Sequence, residues 1–217
     1  MRLYKYIKTY ANLTTKKTKE LYEANEIKVN NEIKPLSWLI SDDDIVTIHN
    51  ETINRRPCIY YLYYKPRGIR SDITSAPNSY IKNINLPDKV MPCGRLDKES
   101  EGLMILTNDG KFINKVANHQ NGYTKEYIVK LKNKITKEFL QSIIEPFSIK
   151  NKNTLPISCI MVDDFSLILT LQDGRYHQIR RAVIRSGNTV VTLKRTRIGP
   201  YELGDIKPGE LKQININ

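Results

Sequence analysis

The apolar positions of the first fifty residues follow a helical period first and a strand-like period later. Apolar residues recur at helical spacing near the N-terminus, at Leu3, Tyr6, Ile7 and Tyr10. Thr14 or Thr15 is a candidate cap for a second helix, and Asn25 is a candidate left-handed stop after it. Short β patterns follow at residues 27–29 and 45–48. The pattern predicts a small unit over residues 1–50, with two helices followed by a hairpin-like sheet.

The rest of the chain mixes strand and helix patterns without regular alternation. Strands are predicted at residues 59–64, 103–106, 126–131, 157–162, 166–171, 189–193 and 211–216. Helices are predicted at residues 111–118, 136–144 and 175–186. This mixture is typical of an α+β fold, with a mixed, mainly antiparallel sheet behind a small N-terminal α/β unit. The polar segment 51–57, which ends in Pro57, is the predicted linker to a domain over residues 58–217.

The charge of the chain adds a first indication of function. The 217 residues carry a net charge of +12, which favours a polyanionic partner, either nucleic acid or a membrane surface. Two zones, residues 1–19 and 174–201, contain many cations and no acid. The second zone is rich in arginine, whose planar fork suits phosphates and base edges. We therefore expect two separate RNA contacts.

Other features of the composition indicate a cytoplasmic protein. No apolar run reaches the roughly 18 residues that span a membrane, and the N-terminus lacks the apolar core of a signal peptide. The three cysteines, Cys58, Cys93 and Cys159, are odd in number and far apart. They are typical of reduced thiols rather than of a disulfide framework or a zinc site.

The stretch 91–110, MPCGRLDKESEGLMILTNDG, carries the most informative chemistry. Gly94, Arg95 and Asp97 stand in close order before an apolar strand. This order predicts a loop that presents one carboxylate beside a buried strand. The alternative is an ordinary β-hairpin in which Asp97 caps a turn.

A second candidate segment is GRYHQIRR, residues 174–181. On a helix, Ile179 faces inward, while His177 and Arg181 share the outer face. Arg180 lies nearer the inward side, where an arginine is costly unless it meets a carboxylate, and Asp97 is its natural partner. The alternative is a basic surface helix whose arginines are all solvated.

A third candidate is Tyr127, which follows Lys125 and Glu126 at the start of a predicted strand. A tyrosine here can stack on a base while its hydroxyl stays polar. The alternative is a core or edge tyrosine.

These segments occur together in an order that resembles a known family. GRLDKESEGLMILTNDG, KEYIV, GRYHQIRR and LKRTRIGPYEL closely resemble the RsuA-like branch of the pseudouridine synthases, and YYKPRGI resembles the opening of its catalytic domain. The resemblance covers residues 58–217 almost throughout. Residues 1–50 resemble the S-four domain, a small RNA-binding module that often precedes this catalytic domain.

The resemblance implies a role for individual residues. Asp97 is the implied catalytic aspartate, Tyr127 contacts the target uracil, and Arg180 pairs with Asp97. The implied substrate-binding residues are Lys65, Arg95, Gln178, Arg181, Leu193 and Arg195. The implied RNA contacts of the small domain are Arg2, Lys5, Lys16, Lys17 and Lys19. The resemblance implies no metal, nucleotide or redox cofactor.

The implied reaction isomerises one uridine of ribosomal RNA, free or in an assembly particle, to pseudouridine. The segments KEYIV and LKRTRIG favour large-subunit RNA, and a monomer is expected. Asp97 must be ionised, but it can act as a nucleophile on base or sugar, or as a base that removes a ribose proton. The target must leave its stack, at a cost of roughly a few kcal/mol.

Two other function classes remain open from the sequence. The chain can be an RNA-binding ribosome-assembly factor that keeps the fold without catalysis. It can also be a glycoside-cleaving enzyme, which calls for two carboxylates about the bond, with Glu99 and Glu101 as the nearby candidates.

Overall fold

The chain folds into two compact units, residues 1–57 and 58–217. The computed structural model describes residues 1–55, 57–72, 79, 84, 86, 90–118 and 122–216. The prediction that 51–57 is only a linker is wrong, because Glu51–Thr52 forms a strand of the first unit. Ile53 then donates its backbone N–H to Val46 at 2.8 Å, so this segment extends the small sheet.

The first unit has two helices followed by a three-stranded antiparallel sheet. The helices are α1 (Leu3–Tyr10) and α2 (Thr15–Glu23), and the strands are β1 (Ile27–Val29), β2 (Val46–Ile48) and β3 (Glu51–Thr52). Of the two predicted caps, Thr14 caps α2, since its hydroxyl accepts from the Lys17 N–H at 3.2 Å. Asn25 adopts the predicted left-handed conformation, with φ of 58°. Leu3, Ile7 and Ile27 are fully buried in the core of this unit.

The second unit is built on a nine-stranded sheet. Its strands are β4 (Tyr60–Lys65), β5 (Met91–Pro92), β6 (Glu101–Thr107), β7 (Lys125–Leu131), β10 (Ser158–Asp163), β11 (Ser166–Leu171), β12 (Val190–Ile198), β13 (Tyr201–Glu202) and β14 (Leu211–Ile214). A separate pair is formed by β8 (Ser148–Ile149) and β9 (Lys152–Asn153). The helices are α3 (Gly110–Ala117), α4 (Lys137–Ile143) and α5 (Gln178–Arg185).

The strand order of the large sheet is β10-β11-β7-β12-β6-β4-β14, with β13 beside β12 and β5 beside β6. All neighbouring strands are antiparallel except β12 and β6, which pair in parallel through Lys194 and Arg195. The predicted α+β class with a mainly antiparallel sheet is therefore confirmed.

The centre of the sheet is buried on both faces, which explains its long apolar runs. Tyr61 and Tyr63 of β4 point into one core, and Leu62 and Tyr64 point into the other. Helix α3 covers the second core, with Phe112 and Val116 buried, while α4 and α5 cover the first. Among the described helices, none is long and apolar enough to cross a membrane.

Helix α5 begins three residues later than the pattern predicts. His177 is its N-terminal flanking residue and has left-handed backbone, with φ of 54°. The preceding turn is fixed by Gln178, whose side-chain amide accepts from the Arg175 N–H and donates to Asp173, both at 2.9 Å. His177 and Arg181 therefore do not share a helical face as predicted.

Gly102 permits the close approach of the two parallel strands. Its φ is +107°, and a Cβ added there would lie 2.2 Å from the Arg195 carbonyl oxygen and 2.7 Å from its nitrogen. Any larger residue would push β6 away from β12. This junction fixes the position of Arg195 relative to the loop that precedes β6.

Candidate active site

A cavity of about 260 Å³ opens where the loop before β6 meets the start of α5. Its wall includes residues 93–97, residues 177–180, Lys125 with Tyr127, and Leu193 with Arg195, together with residues of α3 and of the segment 171–175. It is slightly smaller than the range of about 300–1,000 Å³ typical of ligand pockets. The structure thus brings three of the sequence-predicted segments to one place.

Asp97 lies in the wall of this cavity, with its side chain one-third exposed. The Ser100 N–H donates to the Asp97 carbonyl at 3.0 Å, so the chain turns sharply after the aspartate. Among the described residues, the basic side chain within 4 Å of this carboxylate is the His177 imidazole, whose Nε2 lies 3.4 Å from Asp97 Oδ1. The carboxylate is therefore reachable from the cavity and supported on one side by an imidazole.

The predicted ion pair between Arg180 and Asp97 is not among the ion pairs of the described residues, and this detail of the prediction is wrong here. Arg180 donates instead to the Glu99 carbonyl at 2.9 Å and lies 3.4 Å from Ser100 Oγ. The loop turns back after Asp97, so these two acceptors meet the first turn of α5. Arg180 still lines the cavity and joins α5 to the Asp97 loop.

Tyr127 forms part of the opposite wall. It is 9% exposed, lies in β7 and stands directly opposite Arg195 of β12 in the sheet register. Leu193 is buried two residues earlier on β12 and also lines the cavity. The tyrosine is therefore a core residue that also lines the cavity, and its stacking on a base stays a prediction.

Arg195 is buried, although its charge suggested a surface phosphate contact. It is 3% exposed and donates from Nε to the Leu103 carbonyl at 2.7 Å and from one terminal nitrogen to the Arg95 carbonyl at 3.4 Å. Its other terminal nitrogen is buried without a hydrogen-bond partner among the described residues. The guanidinium thus holds the loop and keeps one buried donor without a partner among the described residues.

Lys65 lies elsewhere than predicted, since it is fully buried and does not line the cavity. Its ammonium donates to the backbone carbonyls of Pro66 at 3.0 Å and Ile69 at 2.7 Å. Burial, with the charge of Arg195 added, lowers the pKa of Lys65 from 10.5 to about 8. Lys65 is therefore a buried cation at the end of β4, and it does not contact substrate from this position.

The buried charge of Lys65 predicts a pH dependence of stability. Because the folded-state pKa of about 8 lies below the ordinary 10.5, the unfolded chain binds more protons between these values. Relative to Lys65→Met, the wild type should gain up to about 3 kcal/mol of unfolding free energy as pH rises through this window. Chemical denaturation at several pH values measures the difference. The same comparison with Lys132→Met, which replaces an exposed lysine, should show no change of relative stability with pH. A decrease in the stability of wild type relative to Lys65→Met as pH rises would contradict the lowered pKa of Lys65.

The remaining predicted substrate contacts differ in how available they are. Arg95 is exposed and lines the cavity mouth. Gln178 lines the cavity, but its amide is engaged in the turn before α5. Arg181 is exposed outside the cavity, and its guanidinium lies 5.6 Å from the ring centroid of Tyr176. Arg95 is thus the best placed of the three to meet RNA.

The predicted RNA contacts of the first unit are exposed on its helical part. They precede or belong to α1 and α2 and comprise Arg2, Lys5, Lys16, Lys17 and Lys19. Lys17 is partly engaged, with its ammonium 3.6 Å from the Glu20 carboxylate. The other four are available for phosphate contact.

Sequence reasoning missed the contact between His177 and Asp97. The His177 ring stacks on Tyr176, with centroids 3.9 Å apart and planes inclined by 16°. Its Nε2 lies 3.4 Å from Asp97 Oδ1. No sequence pattern indicates a left-handed histidine, because only the turn before α5 creates it. The adjoining Cys93 is a poor rival nucleophile, since burial raises the pKa of its thiol to about 12.

Comparison with known proteins places this geometry in a family. Residues 59–184 match the family described as RNA pseudouridylate synthase. The chain is 28% identical to the ribosomal large subunit pseudouridine synthase B of Bacillus subtilis, covering 98% of this chain and 91% of the relative. It is 29% identical to the ribosomal small subunit pseudouridine synthase A of Haemophilus influenzae, covering 99% and 96%.

A solved structure supports the same assignment over nearly the whole chain. The crystal structure of a pseudouridylate synthase superposes with a TM-score of 0.71 at 27% identity, and the match covers 99% of this chain and 96% of that one. Since the matched residues include the loop with Asp97, the strand with Tyr127 and the start of α5, sequence and fold agree. The chain belongs to the RNA pseudouridine synthase family and is an isomerase of uridine in RNA.

Proposed function

We propose that this enzyme isomerises a uridine of ribosomal RNA, in the large subunit, with Asp97 as the catalytic carboxylate. The observation that carries the proposal is the placement of Asp97. It lies on a tight loop, open to a cavity of about 260 Å³, and buried Tyr127 forms part of the same wall. Full-length likeness to relatives named for ribosomal RNA supports the substrate class.

The chemistry requires one carboxylate and no external group. The bond between ribose C1′ and uracil N1 breaks, the base turns, and C5 bonds to C1′. N1 gains a proton and C5 loses one, so the nucleoside keeps its mass. Two carboxylates among the described residues line the cavity, but Asp173 is buried and accepts from Arg175 and Gln178. Asp97 is therefore the one that can begin this sequence, by attack on the base or sugar or by removing a ribose proton.

Tyr127 is proposed to hold the flipped uracil. Stacking on an aromatic ring contributes about 1–3 kcal/mol per base, which offsets part of the cost of extruding the nucleotide. Exposed Arg95 at the mouth would fix a neighbouring phosphate, which positions the RNA without reading its sequence.

Substitution of Tyr127 separates stacking from any role of its hydroxyl. Tyr127→Ala should lower kcat/KM by about 10- to 100-fold, because the stacking surface is removed. Tyr127→Phe keeps the ring and should stay within a few fold of wild type. Steady-state turnover on the mapped RNA measures both. Equal damage from both substitutions would contradict stacking as the main contribution.

The proposed target class is tested by pseudouridine mapping on ribosomal RNA from the source organism. Unmodified large- and small-subunit transcripts are incubated with the enzyme and mapped by carbodiimide labelling and primer extension. A single new stop in the large-subunit RNA is the expected result. A stop only in the small-subunit RNA would overturn the subunit assignment while leaving the reaction intact, and partly assembled particles of each subunit serve as parallel substrates.

The first unit is proposed to be the S-four-like RNA-binding domain, with its exposed cations as phosphate contacts. Four of its five predicted contact residues carry no ion pair among the described residues. Replacing any one of these cations by alanine should make the slope of log RNA affinity against log salt concentration shallower by about one unit, since one phosphate contact is lost. This unit would supply affinity and register, while residues 58–217 supply the chemistry.

A further inference from the structure

We propose that Ser71 is a positioning residue that fixes the backbone immediately before Asp97. The inference rests on the proposed role of Asp97 as the catalytic carboxylate. Ser71 follows β4 by six residues, is 3% exposed and does not line the cavity. Its effect on the reaction would therefore pass entirely through the loop that carries Asp97.

One hydroxyl of Ser71 satisfies both polar groups of a single backbone residue. Its Oγ donates to the Leu96 carbonyl at 2.7 Å and accepts from the Leu96 N–H at 3.0 Å. Both contacts are buried and join positions 25 residues apart. Met104 Sδ, at 3.5 Å, is a weaker second acceptor on β6. Ser71 thus satisfies the backbone N–H and carbonyl of Leu96, which a neighbouring strand would otherwise do.

Within the part of the chain that the structure describes, the backbone at Leu96 has no strand partner to replace this contact. Residues 93–100 lie between β5 and β6 and belong to neither strand. An unpaired buried backbone group costs about 1–3 kcal/mol, so removal of the hydroxyl would leave two such groups or make the loop move. Movement is the less costly outcome for a loop that faces a cavity on one side.

Two further contacts show that the loop is held at consecutive residues. Arg195 donates to the Arg95 carbonyl at 3.4 Å, and the Ser100 N–H donates to the Asp97 carbonyl at 3.0 Å. Ser71 supplies the contact between them, at Leu96. Because Lys65 donates to the Ile69 carbonyl at 2.7 Å, the segment that carries Ser71 is itself anchored.

The consequence is a defined orientation of the Asp97 carboxylate. A misplacement of about 1 Å at a reacting group can reduce a rate about 10²-fold. Alanine at position 71 removes the donor and the acceptor together. Threonine retains both, with one added methyl group, and is the conservative variant for rescue.

The test is a single-turnover assay at saturating RNA with Ser71→Ala, Ser71→Thr and Asp97→Asn. Ser71→Ala should lower the rate constant about 10²-fold with RNA affinity unchanged, and Ser71→Thr should restore it to within a few fold. Thr154→Val removes another buried contact, in which Thr154 Oγ1 accepts from the Phe147 N–H at 3.1 Å, and should lower stability without changing the rate constant. If Ser71→Ala does not fold, Ser71→Cys takes its place.

The outcomes separate this inference from the proposed function. A wild-type rate for Ser71→Ala, with Asp97→Asn inactive, overturns the positioning role alone. A decrease in rate that only follows the unfolded fraction or weaker RNA binding also overturns it. A wild-type rate for Asp97→Asn overturns the proposed function, and this inference falls with it.

Discussion

Replacement of Asp97 by asparagine is expected to reduce pseudouridine formation by about 10³-fold or more while RNA binding persists. Asparagine has nearly the same shape and keeps an oxygen that can accept from His177, which lies 3.4 Å away. It removes the negative charge and the basicity that the reaction needs. Affinity for RNA should hold or rise slightly, because a negative charge facing a polyanion is removed. Single-turnover rates and filter binding on the same RNA measure the two effects.

Glu99→Gln is the matched control for the removal of one acid from this loop. The Glu99 side chain is more than half exposed and lies 3.4 Å from the Arg67 guanidinium, away from the cavity wall. Only its backbone carbonyl contacts Arg180, and the substitution leaves that carbonyl in place. Activity within a few fold of wild type is expected. A comparable decrease in both variants would indicate that net charge, not a specific carboxylate, governs turnover.

Gly102→Ala is expected to destabilise the 58–217 unit by about 4 kcal/mol or more, an unusually large effect for one added methyl group. The new Cβ would stand 2.2 Å from the Arg195 carbonyl oxygen, and the φ of +107° is itself unfavourable for alanine. The backbone cannot yield there without separating β6 from β12. Trp38, the chain's one tryptophan, lies in the other unit. Far-ultraviolet circular dichroism during chemical denaturation is therefore the suitable measurement.

Substitution of two other glycines separates the cost of the positive φ from the cost of the steric overlap at Gly102. Gly209 has φ of +90° and open space where a Cβ would lie, so Gly209→Ala should cost only about 1–2 kcal/mol. Gly110 lies in α3 with open space and no positive φ, so Gly110→Ala should be neutral or slightly stabilising. Equal stability of the Gly102 and Gly209 variants would show that the parallel junction is not closely packed.

The architecture was largely predictable because most elements carry an unambiguous apolar period. The hairpin of β10 and β11 and helix α1 follow from local sequence, and the predicted bounds of β11 agree with the structure. Strand β12 was predicted to end at Leu193 but continues to Ile198. The second half of the strand carries Arg195 and Arg197, which break the apolar strand pattern. The sequence does not show that such arginines are buried or paired with residues of neighbouring strands.

The composition of the site was predictable, but several of its contacts were not. The motif order selected Asp97, Tyr127 and Arg180, and all three line one cavity. The contact between His177 and Asp97 depends on a left-handed turn that tertiary packing creates. The acceptors of Arg180 are backbone groups, which sequence patterns do not reveal.

Burial of charge is the other property that the sequence concealed. From the sequence alone, Lys65 and Arg195 would be expected at the surface, because lysine and arginine are rarely fully buried. In the structure both are buried. Both are buried because backbone carbonyls near the Asp97 loop accept their hydrogen bonds. Arg195 lines the cavity and holds the Asp97 loop, while Lys65 adds a buried positive charge outside the cavity wall, and neither is placed to hold a phosphate at the surface.

The most direct test of the central claim uses ribosomal RNA labelled with tritium at C5 of uridine. Isomerisation joins C5 to the ribose, so each turnover releases that hydrogen to water. One tritium is expected to be released per RNA, with a product nucleoside of the same mass as unlabelled uridine, and no release is expected with Asp97→Asn. Tight RNA binding without tritium release would contradict catalysis, and free uracil would indicate bond cleavage instead of isomerisation.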